Sequence, residues 1–232
     1  VKTAFDAQQH FVADAAHELR TPLAALKLQT QSLERAETPE ARSLAVARLT
    51  AGIERATRLV EQLMVLARQE ASTAGGARSG HVALADVARR TLGDMAPAAQ
   101  ARGIDLGLER ADEVAVDGQP EALAIMLRNL VDNAIKYTPA GGKVDVEVRA
   151  SEGGAVLTVE DSGPGIPVEE RERVFDRFYR IAGSEAGGSG IGMAIVKAIA
   201  DRHGARLVLA KSERLGGLSI RAEFRGPAKV PI

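Results

Sequence analysis

The chain has 232 residues, 45% of them hydrophobic, which is enough for one large domain or two small ones with real cores. A formal net charge of −1 and an aromatic content of 3% argue against a nucleic-acid partner, which normally requires excess basic charge and stacking surfaces. Because cysteine is absent, a disulfide framework and a thiolate metal site are excluded.

No segment of the sequence approaches the roughly 18 consecutive apolar residues of a membrane span, and no signal peptide is evident. We therefore expect this chain itself to be soluble. It begins at Val1 rather than methionine and enters a helical pattern almost at once, so we expect that an upstream segment is missing. Any membrane anchor should lie in that segment.

The first part of the chain, to about residue 70, carries a seven-residue hydrophobic repeat. The repeat residues form two series in which spacings of four and three positions alternate. The first series is Val12, Ala16, Leu19, Leu23, Leu26, Thr30 and Leu33. The second series is Val46, Leu49, Ile53, Ala56, Val60, Leu63 and Ala67. Between them, Thr38 can cap a helix and Pro39 can occupy its first turn. This pattern predicts two antiparallel helices. Because a lone hairpin cannot cover both apolar faces, we expect a homodimeric four-helix bundle.

The segment ASTAGGARSG, residues 71–80, is small and polar, which is typical of a flexible linker. We therefore predict a helical hairpin over residues 1–71, a linker over 72–80 and a second domain over 81–232.

The second domain mixes strands and helices. Strands are predicted at 81–84, 104–108, 113–116, 143–149, 155–160, 206–210 and 218–224, and helices over about 86–101, 119–136 and 189–203. The turn SEGG should join the fourth and fifth strands as a hairpin, and a Gly-Gly turn should join the last two. This order of elements indicates an α+β class.

His17 lies one position after the repeat residue Ala16, so its imidazole should face the flank of the bundle and water. Near neutral pH an imidazole is largely unprotonated, and one ring nitrogen can act as a nucleophile if the proton on the other is held. Glu18 could hold that proton, and Thr21 could place a hydroxyl beside whatever His17 carries. Pro22 removes a helical hydrogen bond and should loosen the helix beside the imidazole.

The same residues allow a simpler interpretation. Thr21 and Pro22 could be an N-cap and a first-turn proline where the helix restarts, which would make His17 an ordinary surface residue. His10 lies one heptad earlier and faces the same way, but it has no adjacent acid on its C-terminal side and no proline after it as His17 has. Spacing alone leaves both interpretations open.

Three segments of the second domain are typical of phosphate chemistry. In NLVDNAIKYTP, Asn129, Asn133 and Lys136 share one helix face, where the amides offer oxygens to a divalent cation and the lysine offers a charge to phosphate. VEDSGPGIP places Asp161 at the end of a strand, where its carboxylate can accept a hydrogen bond from an adenine amino group. The turn that follows contains glycines that let the backbone approach a flat ligand.

The third segment, GGSGIGMAIVKAI, is expected to open a helix whose free N–H groups and dipole face an anion. Its glycines are Gly187, Gly188, Gly190 and Gly192. The segment follows RVFDRFYR and a glycine-bearing loop, residues 181–188, which is typical of a mobile lid. A dinucleotide-binding fold fits poorly, because it would place the glycine turn directly after a first strand.

These motifs, in this order, resemble the cytoplasmic core of the bacterial sensor histidine kinases of two-component signalling. HELRTPL is similar to the family's H box, NLVDNAIKYTP to its N box, DSGPGIP to its first glycine box, RVFDRFYR to its F box and GGSGIGMAIV to its second glycine box. The resemblance spans nearly the whole chain. Ile191 and Met193 stand where leucines are usual in the family, which bears on packing rather than on activity.

The resemblance implies a role for each matching residue. His17 is expected to be phosphorylated, with Glu18 as its acid–base partner and Thr21 as part of a phosphatase motif. The expected nucleotide-binding residues are Asn129, Asn133, Lys136, Tyr137, Asp161, Gly163, Gly165, Ile166, Arg177, Arg180, Gly188, Gly190 and Gly192. Among them, Asn133 and Asn129 are expected to bind Mg²⁺.

The implied fold is a helical hairpin of a dimeric four-helix bundle followed by a Bergerat-type α/β sandwich that binds ATP, an α plus α+β architecture. The implied activity is autophosphorylation of His17 by Mg·ATP, phosphoryl transfer to an aspartate of a response regulator receiver domain, and dephosphorylation of that regulator. FVADAAHELRTPL is similar to the subgroup with a periplasmic sensor between two membrane spans. We therefore expect this part of the protein in the cytoplasm and the full-length protein in the bacterial inner membrane.

Two other functions remain open at this stage. One is a non-catalytic dimeric scaffold that binds nucleotide and a response regulator. The other is an ATP hydrolase of the gyrase or Hsp90 type, although such enzymes use a glutamate to activate water where this chain has Asn129.

Overall fold

The computed structural model of the chain describes residues 2–71, 80–181 and 188–225. These residues form two compact units, which divide between Ala67 and Arg68. The predicted linker, apart from its last residue, and most of the predicted lid loop lie outside the described residues, so the domain boundaries stay predictions. Within the described ranges, no helix is both long and apolar enough to cross a membrane.

The first unit consists of two long helices, α1 (Lys2–Glu34) and α2 (Pro39–Ala71). The hydroxyl of Thr38 accepts a hydrogen bond from the backbone N–H of Ala41 at 3.2 Å, so it caps α2 as the sequence predicts. Gly52 lets the two helices approach each other closely. A Cβ atom at this position would clash with a methyl carbon of Leu26, at a distance of 2.8 Å. The unit is therefore a close-packed helical hairpin.

The seven-residue repeat divides between two faces of this hairpin. Alternate repeat positions are buried or half-buried inside it, namely Leu19, Leu26, Leu33, Leu49, Ala56 and Leu63. Of the other described positions, Ala67 is half-buried and the rest are exposed, namely Ala16, Leu23, Thr30, Val46, Ile53 and Val60. One hairpin therefore covers only half of its apolar repeat, as the sequence predicts.

The second unit is built around a five-stranded sheet with the order β2-β4-β5-β7-β6. These strands are β2 (Asp105–Ala111), β4 (Lys143–Ser151), β5 (Gly154–Asp161), β6 (Arg206–Lys211) and β7 (Leu218–Arg225). Only β2 and β4 pair in parallel, and the other neighbours are antiparallel. A separate two-stranded sheet joins β1 (Gly80–Ala83) to β3 (Ala115–Gly118). Both predicted hairpins are confirmed.

Three helices pack on one face of the sheet, α3 (Leu84–Ala101), α4 (Pro120–Tyr137) and α5 (Gly192–Arg202). Alternate residues of the strands are buried beneath them, including Val144, Val146, Val148, Leu157, Val159, Ile220, Ala222 and Phe224. The intervening residues of the strands form a polar face. The unit is therefore a two-layer α/β sandwich, as predicted.

Several predicted element boundaries differ from the structure by one to three residues. β2, for example, ends at Ala111 instead of 108, and β3 spans Ala115–Gly118 instead of 113–116. Leu84, predicted as the end of a strand, begins α3 and is buried there.

The last helix was predicted to begin at Ser189, but α5 begins at Gly192. Gly190 has a φ of +70°, in the left-handed region, so it cannot belong to the helix. Gly188 and Gly190 therefore precede the helix instead of opening it.

Candidate functional site

His17 lies in α1, which runs without a break past Pro22. The interpretation in which the helix restarts at Thr21 and Pro22 is therefore wrong. The side chains of His17 and Thr21 are exposed and that of Glu18 is half-buried. Because Pro22 has no N–H, the carbonyl of Glu18 loses its helical hydrogen bond one turn from the histidine. The imidazole is thus open to a reacting group, as the repeat predicts.

In the second unit, α4 places two amide side chains beside the start of α5. Asn129 donates a hydrogen bond from Nδ2 to the carbonyl of Ile125 at 2.8 Å, which fixes its side chain. A Cβ atom on Gly192 would lie 3.0 Å from Oδ1 of Asn129 and 3.8 Å from Nδ2 of Asn133. The missing side chain at Gly192 therefore makes room for Asn129 at the first turn of α5, and Asn133 lies at ordinary contact distance from the same residue.

The end of α4 meets the second glycine box through Lys136. Its ammonium Nζ lies 4.9 Å from the centre of the Tyr137 ring and 3.5 Å from the hydroxyl of that tyrosine. A Cβ atom on Gly188 would lie only 2.2 Å from Nζ of Lys136. The N box and the second glycine box therefore converge at this positive charge.

Asp161 ends β5 as a buried carboxylate, with 6% of the residue exposed. Its Oδ1 accepts hydrogen bonds from the backbone N–H groups of Gly163 at 2.8 Å and Leu218 at 3.1 Å. Burial raises the pKa of Asp161 above its ordinary value, although these two hydrogen bonds oppose the shift. Because both bonds fall on Oδ1, the other carboxylate oxygen keeps its capacity to accept a hydrogen bond from a ligand.

The first glycine box folds tightly against the end of α4. A Cβ atom on Gly163 would lie 2.9 Å from the carbonyl oxygen of Tyr137, and Gly165 has a φ of +74°. The half-buried Ile166 follows, and its carbonyl accepts a hydrogen bond from the guanidinium of Arg171 at 3.2 Å. This turn joins the Asp161 carboxylate to the N box.

The F box is hydrogen-bonded to the second glycine box, which sequence reasoning did not anticipate. The backbone N–H of Phe178 donates to the carbonyl of Gly190 at 3.0 Å, and Phe178 has a φ of +62°. Arg177, half-buried, and Arg180, exposed, flank this contact. Gly187 lies outside the described residues. The structure thus brings the N box, both glycine boxes and the F box together in one unit.

The contact of Leu218 and Gly217 with Asp161 was also missed. Gly217 donates its N–H to the backbone carbonyl of Asp161 at 3.1 Å, and a Cβ atom there would lie 2.4 Å from that oxygen. The Gly-Gly turn was predicted only as a chain reversal. Its two adjacent glycines, Gly216 and Gly217, were the available signal of a close backbone approach.

Comparison with known proteins agrees with this arrangement. Residues 118–228 match the family described as "Histidine kinase-, DNA gyrase B-, and HSP90-like ATPase", and residues 7–72 match the "His Kinase A (phospho-acceptor) domain". The chain is 40% identical over 219 residues to the sensor protein QseC of Escherichia coli K12, covering 94% of this chain and 47% of that protein. It is 38% identical over 223 residues to the sensor protein kinase PmrB of Pseudomonas aeruginosa, covering 95% of this chain and 46% of that protein.

Among solved structures, the mycobacterial sensor histidine kinase MprB superposes with a TM-score of 0.57 at 31% identity, covering 65% of this chain and 99% of the other. The chain belongs to the sensor histidine kinase family and contains its phospho-acceptor and ATP-binding modules. It spans about half the length of the sensor proteins QseC and PmrB.

Proposed function

We propose that the chain is an ATP-dependent protein-histidine kinase whose phospho-acceptor is His17. The observation that carries this proposal is the convergence of the N box and the glycine boxes around the buried Asp161 carboxylate. That arrangement offers a hydrogen-bond acceptor for a base and charge for phosphates within one unit. The exposed His17 supplies the nucleophile.

ATP fits this set of side chains. The second carboxylate oxygen of Asp161 would accept the adenine amino group, and the Tyr137 ring would lie beside the base. The ammonium of Lys136 would hold the phosphates, together with the backbone at Gly188, Gly190 and Gly192. We assign Arg177 and Arg180 to the γ-phosphate. Gly163, Gly165 and Ile166 would shape the base pocket.

The amide oxygens of Asn133 and Asn129 suit a hard cation such as Mg²⁺, which protein sites hold with few side chains plus water and phosphate oxygens. The cation supplies charge neutralisation for the transferred phosphoryl group. The hydrogen bond from Asn129 to Ile125 directs the amide nitrogen away and leaves its oxygen to ligate. The donor set therefore fits the proposed metal.

In the proposed reaction, an imidazole nitrogen of His17 attacks the γ-phosphorus of ATP. The bond from that phosphorus to the bridging oxygen breaks, an N–P bond forms, and ADP leaves. Glu18 takes the proton from the other ring nitrogen, so the imidazole stays a good nucleophile. The loosened backbone at Pro22 lets the imidazole adjust to its reaction partners.

The N–P bond is reactive, so the phosphoryl group would pass to an aspartate carboxylate of a response regulator receiver domain. Thr21 would position water in the reverse function, dephosphorylation of that regulator. A second copy of the hairpin would cover the exposed repeat positions and form a homodimer. We place this unit in the cytoplasm, within a longer protein of the bacterial inner membrane, as the resemblance implies.

The two alternatives are less well supported. An ATP hydrolase of the gyrase or Hsp90 type needs a carboxylate base, and the amide of Asn129 cannot accept a proton from water. The intact set of ATP-site residues argues against a non-catalytic scaffold, and labelling of His17 by ATP distinguishes the two functions.

The test is incubation of the chain with γ-³²P-ATP and Mg²⁺. We expect covalent labelling of the wild-type chain and of the His10→Gln control. His17→Gln should abolish labelling and leave ADP affinity unchanged. Labelling of His17→Gln at the wild-type level would refute the proposal, and so would the absence of adenine-nucleotide binding.

A further inference from the structure

Asp145 is a buried carboxylate on the polar face of the five-stranded sheet. It lies in β4 between Val144 and Val146, which face the helices, so its side chain points to the opposite face. The residues paired with Asp145 on the two adjacent strands are Gly107 of β2 and Glu160 of β5. The Asp145 side chain nevertheless has 0% exposed surface. A buried carboxylate on an otherwise solvent-facing side of a sheet requires an explanation.

Two cations compensate the charge of this carboxylate. Nζ of Lys143 lies 3.2 Å from Oδ1 of Asp145, and Nη2 of Arg214 lies 2.7 Å from Oδ2. Lys143 also contacts Glu109 at 2.9 Å, and Arg214 contacts Glu160 at 3.3 Å. We call these five residues the Asp145 cluster. They connect β2, β4 and β5 to the segment that carries Arg214.

Stability explains the outer members of the cluster but not the burial of Asp145. Lys143 lowers the pKa of Glu109, Glu109 raises the pKa of Lys143, and the pKa of Arg214 is raised by Asp145 in spite of burial, all of which favour the folded state at neutral pH. Burial raises the pKa of Asp145 above its ordinary value, although Lys143 and Arg214 oppose the shift. A carboxylate whose pKa rises on folding costs the folded state free energy when it is ionised at neutral pH. Asp145 is therefore the costly member of the cluster, and its ion pair with Arg214 ties a chain segment to the sheet.

The segment that carries Arg214 is the connection between β6 and β7, residues 212–217. Its ends are closed by hydrogen bonds from Ser212 N–H to the carbonyl of Gly217 at 2.8 Å and from Gly216 N–H to the carbonyl of Ser212 at 2.9 Å. The connection is thus a compact turn, and a shift of Arg214 would move its ends.

The far end of this turn contacts the nucleotide-site carboxylate. Gly217 and Leu218 donate their N–H groups to the backbone carbonyl and the Oδ1 atom of Asp161, each at 3.1 Å. The same turn therefore contacts Asp145 through the Arg214 side chain and Asp161 through its backbone.

We propose that the Asp145–Arg214 ion pair positions the β6–β7 turn against Asp161 and thereby sets the affinity for the adenine base, without either residue touching the nucleotide. Arg214 anchors the turn to the polar face of the sheet. The Leu218 N–H then holds Oδ1 of Asp161, which orients the other oxygen toward the base. This inference rests on the proposed function, because it takes an adenine nucleotide as the ligand of Asp161.

The experiment compares Arg214→Gln, Asp145→Asn and the double variant with the wild-type chain. The matched control is Arg149→Gln, which breaks an exposed ion pair to Glu147 on the same strand as Asp145. Calorimetric titration with ADP and with adenosine measures the affinity. We expect each single variant to weaken both ligands by about fivefold, a typical coupling through a packed network. The double variant should be no weaker than the worse single variant, because the pair acts as one unit.

Three further readouts separate positioning from general destabilisation. Arg214→Lys, which keeps a cation, should recover most of the affinity. In initial-rate measurements of His17 autophosphorylation, the single variants should raise the ATP concentration that gives half the maximal rate and leave the maximal rate unchanged. In the nucleotide-free chain, the amide NMR signal of Leu218 should shift in Arg214→Gln and stay in place in Arg149→Gln.

Unchanged ADP affinity in folded Arg214→Gln and Asp145→Asn would overturn the inference, and so would additive losses in the double variant. Either result would leave the proposed function intact, because wild-type binding serves as its separate measure. Absence of ADP binding by the wild-type chain would overturn the proposed function and this inference together.

Discussion

Asp161 shows how backbone geometry prepares one side chain for recognition. Two N–H groups from different parts of the chain, those of Gly163 and Leu218, converge on its Oδ1 atom. The glycine at 217 is required, because any side chain there would collide with the backbone of Asp161. The carboxylate is thereby buried and held by one oxygen, which leaves the other oxygen for the proposed hydrogen bond to adenine.

Substituting Asp161→Asn tests this role. The asparagine oxygen can still accept from the two N–H groups, but its amide nitrogen would then meet the adenine amino group, donor against donor. We expect ADP affinity to fall by at least about tenfold, since an unmade hydrogen bond to a buried charged group is worth about 1.5–3 kcal/mol. Titration calorimetry measures the affinity. Binding as tight as in the wild-type chain would mean that Asp161 does not contact the base.

His203 is a half-buried titratable residue, and its role is structural. Its Nδ1 lies 2.7 Å from the carbonyl of Ile199, to which it donates, and its Nε2 accepts the N–H of Gln119 at 3.2 Å. The imidazole therefore links the C-terminal end of α5 to the N-terminal end of α4 in its neutral form. Burial lowers the pKa of His203 below its ordinary value.

This lowered pKa predicts a pH dependence of stability. Below about pH 6.5, the ordinary value for histidine, the unfolded chain binds a proton that the folded chain does not. The free energy of unfolding should therefore decrease as the pH falls through this value, and the loss should stop once His203 protonates in the folded chain. Denaturant unfolding at pH 8 and pH 5.5 measures it. The loss should be smaller in His203→Gln and unchanged in the exposed-histidine control His81→Gln; equal losses in all three would contradict the assignment.

At the scale of secondary-structure elements, sequence predicted the helices and strands that depend on local pattern. The apolar periodicity of α3 and α4 fixed their ends to within about two residues, and alternating polarity fixed β4 and β5. The start of α5 could not be predicted in this way. It depends on the left-handed backbone of Gly190, which is held by its contact with Phe178 twelve positions earlier.

That contact gives a prediction for Gly190→Ala. A Cβ atom there would lie 2.6 Å from the carbonyl carbon of Phe178, and the φ of +70° is strained for alanine. We expect a loss of stability of about 1–3 kcal/mol and weaker ATP binding. The control is Gly93→Ala in α3, where a Cβ atom meets nothing within 4 Å and should stabilise the helix by roughly 0.5–1 kcal/mol. Thermal and denaturant unfolding measure both; equal effects would contradict the close contact.

At the scale of the whole molecule, the hairpin leaves a row of apolar side chains exposed. Leu23, Ile53 and Val60 belong to the predicted repeat and lie outside the single hairpin. Because about half of each residue is already covered, burying the rest contributes roughly 1 kcal/mol each. A second copy that buries this row in a four-helix bundle would therefore gain substantial free energy.

Ile53→Glu tests the dimer. Ile53 is 51% exposed in the single hairpin, so the charge should be tolerated there but should be costly in a bundle interface. We expect sedimentation to show a monomer. The matched control is Leu44→Glu, because Leu44 is 52% exposed but lies off the repeat, and this variant should stay dimeric. A dimeric Ile53→Glu variant would place the interface elsewhere.

The candidate site was predictable only where its residues lie in compact motifs. His17, Asn133 and Asp161 could be singled out because their neighbours in sequence suggest their chemistry. The contact of Leu218 with Asp161 joins residues 57 positions apart, and the pairing of Asp145 with Arg214 is longer still in sequence. Such contacts depend on strand order, which local pattern does not determine.

The most direct test of the account is the location of the phosphoryl group after incubation with γ-³²P-ATP and Mg²⁺. Digestion at alkaline pH with a protease that cleaves before aspartate separates the two candidate histidines, since His10 falls in the peptide Asp6–Ala13 and His17 in the peptide that begins at Asp14. The account predicts acid-labile label confined to the His17 peptide. Label on the His10 peptide, or label that resists acid, would contradict it.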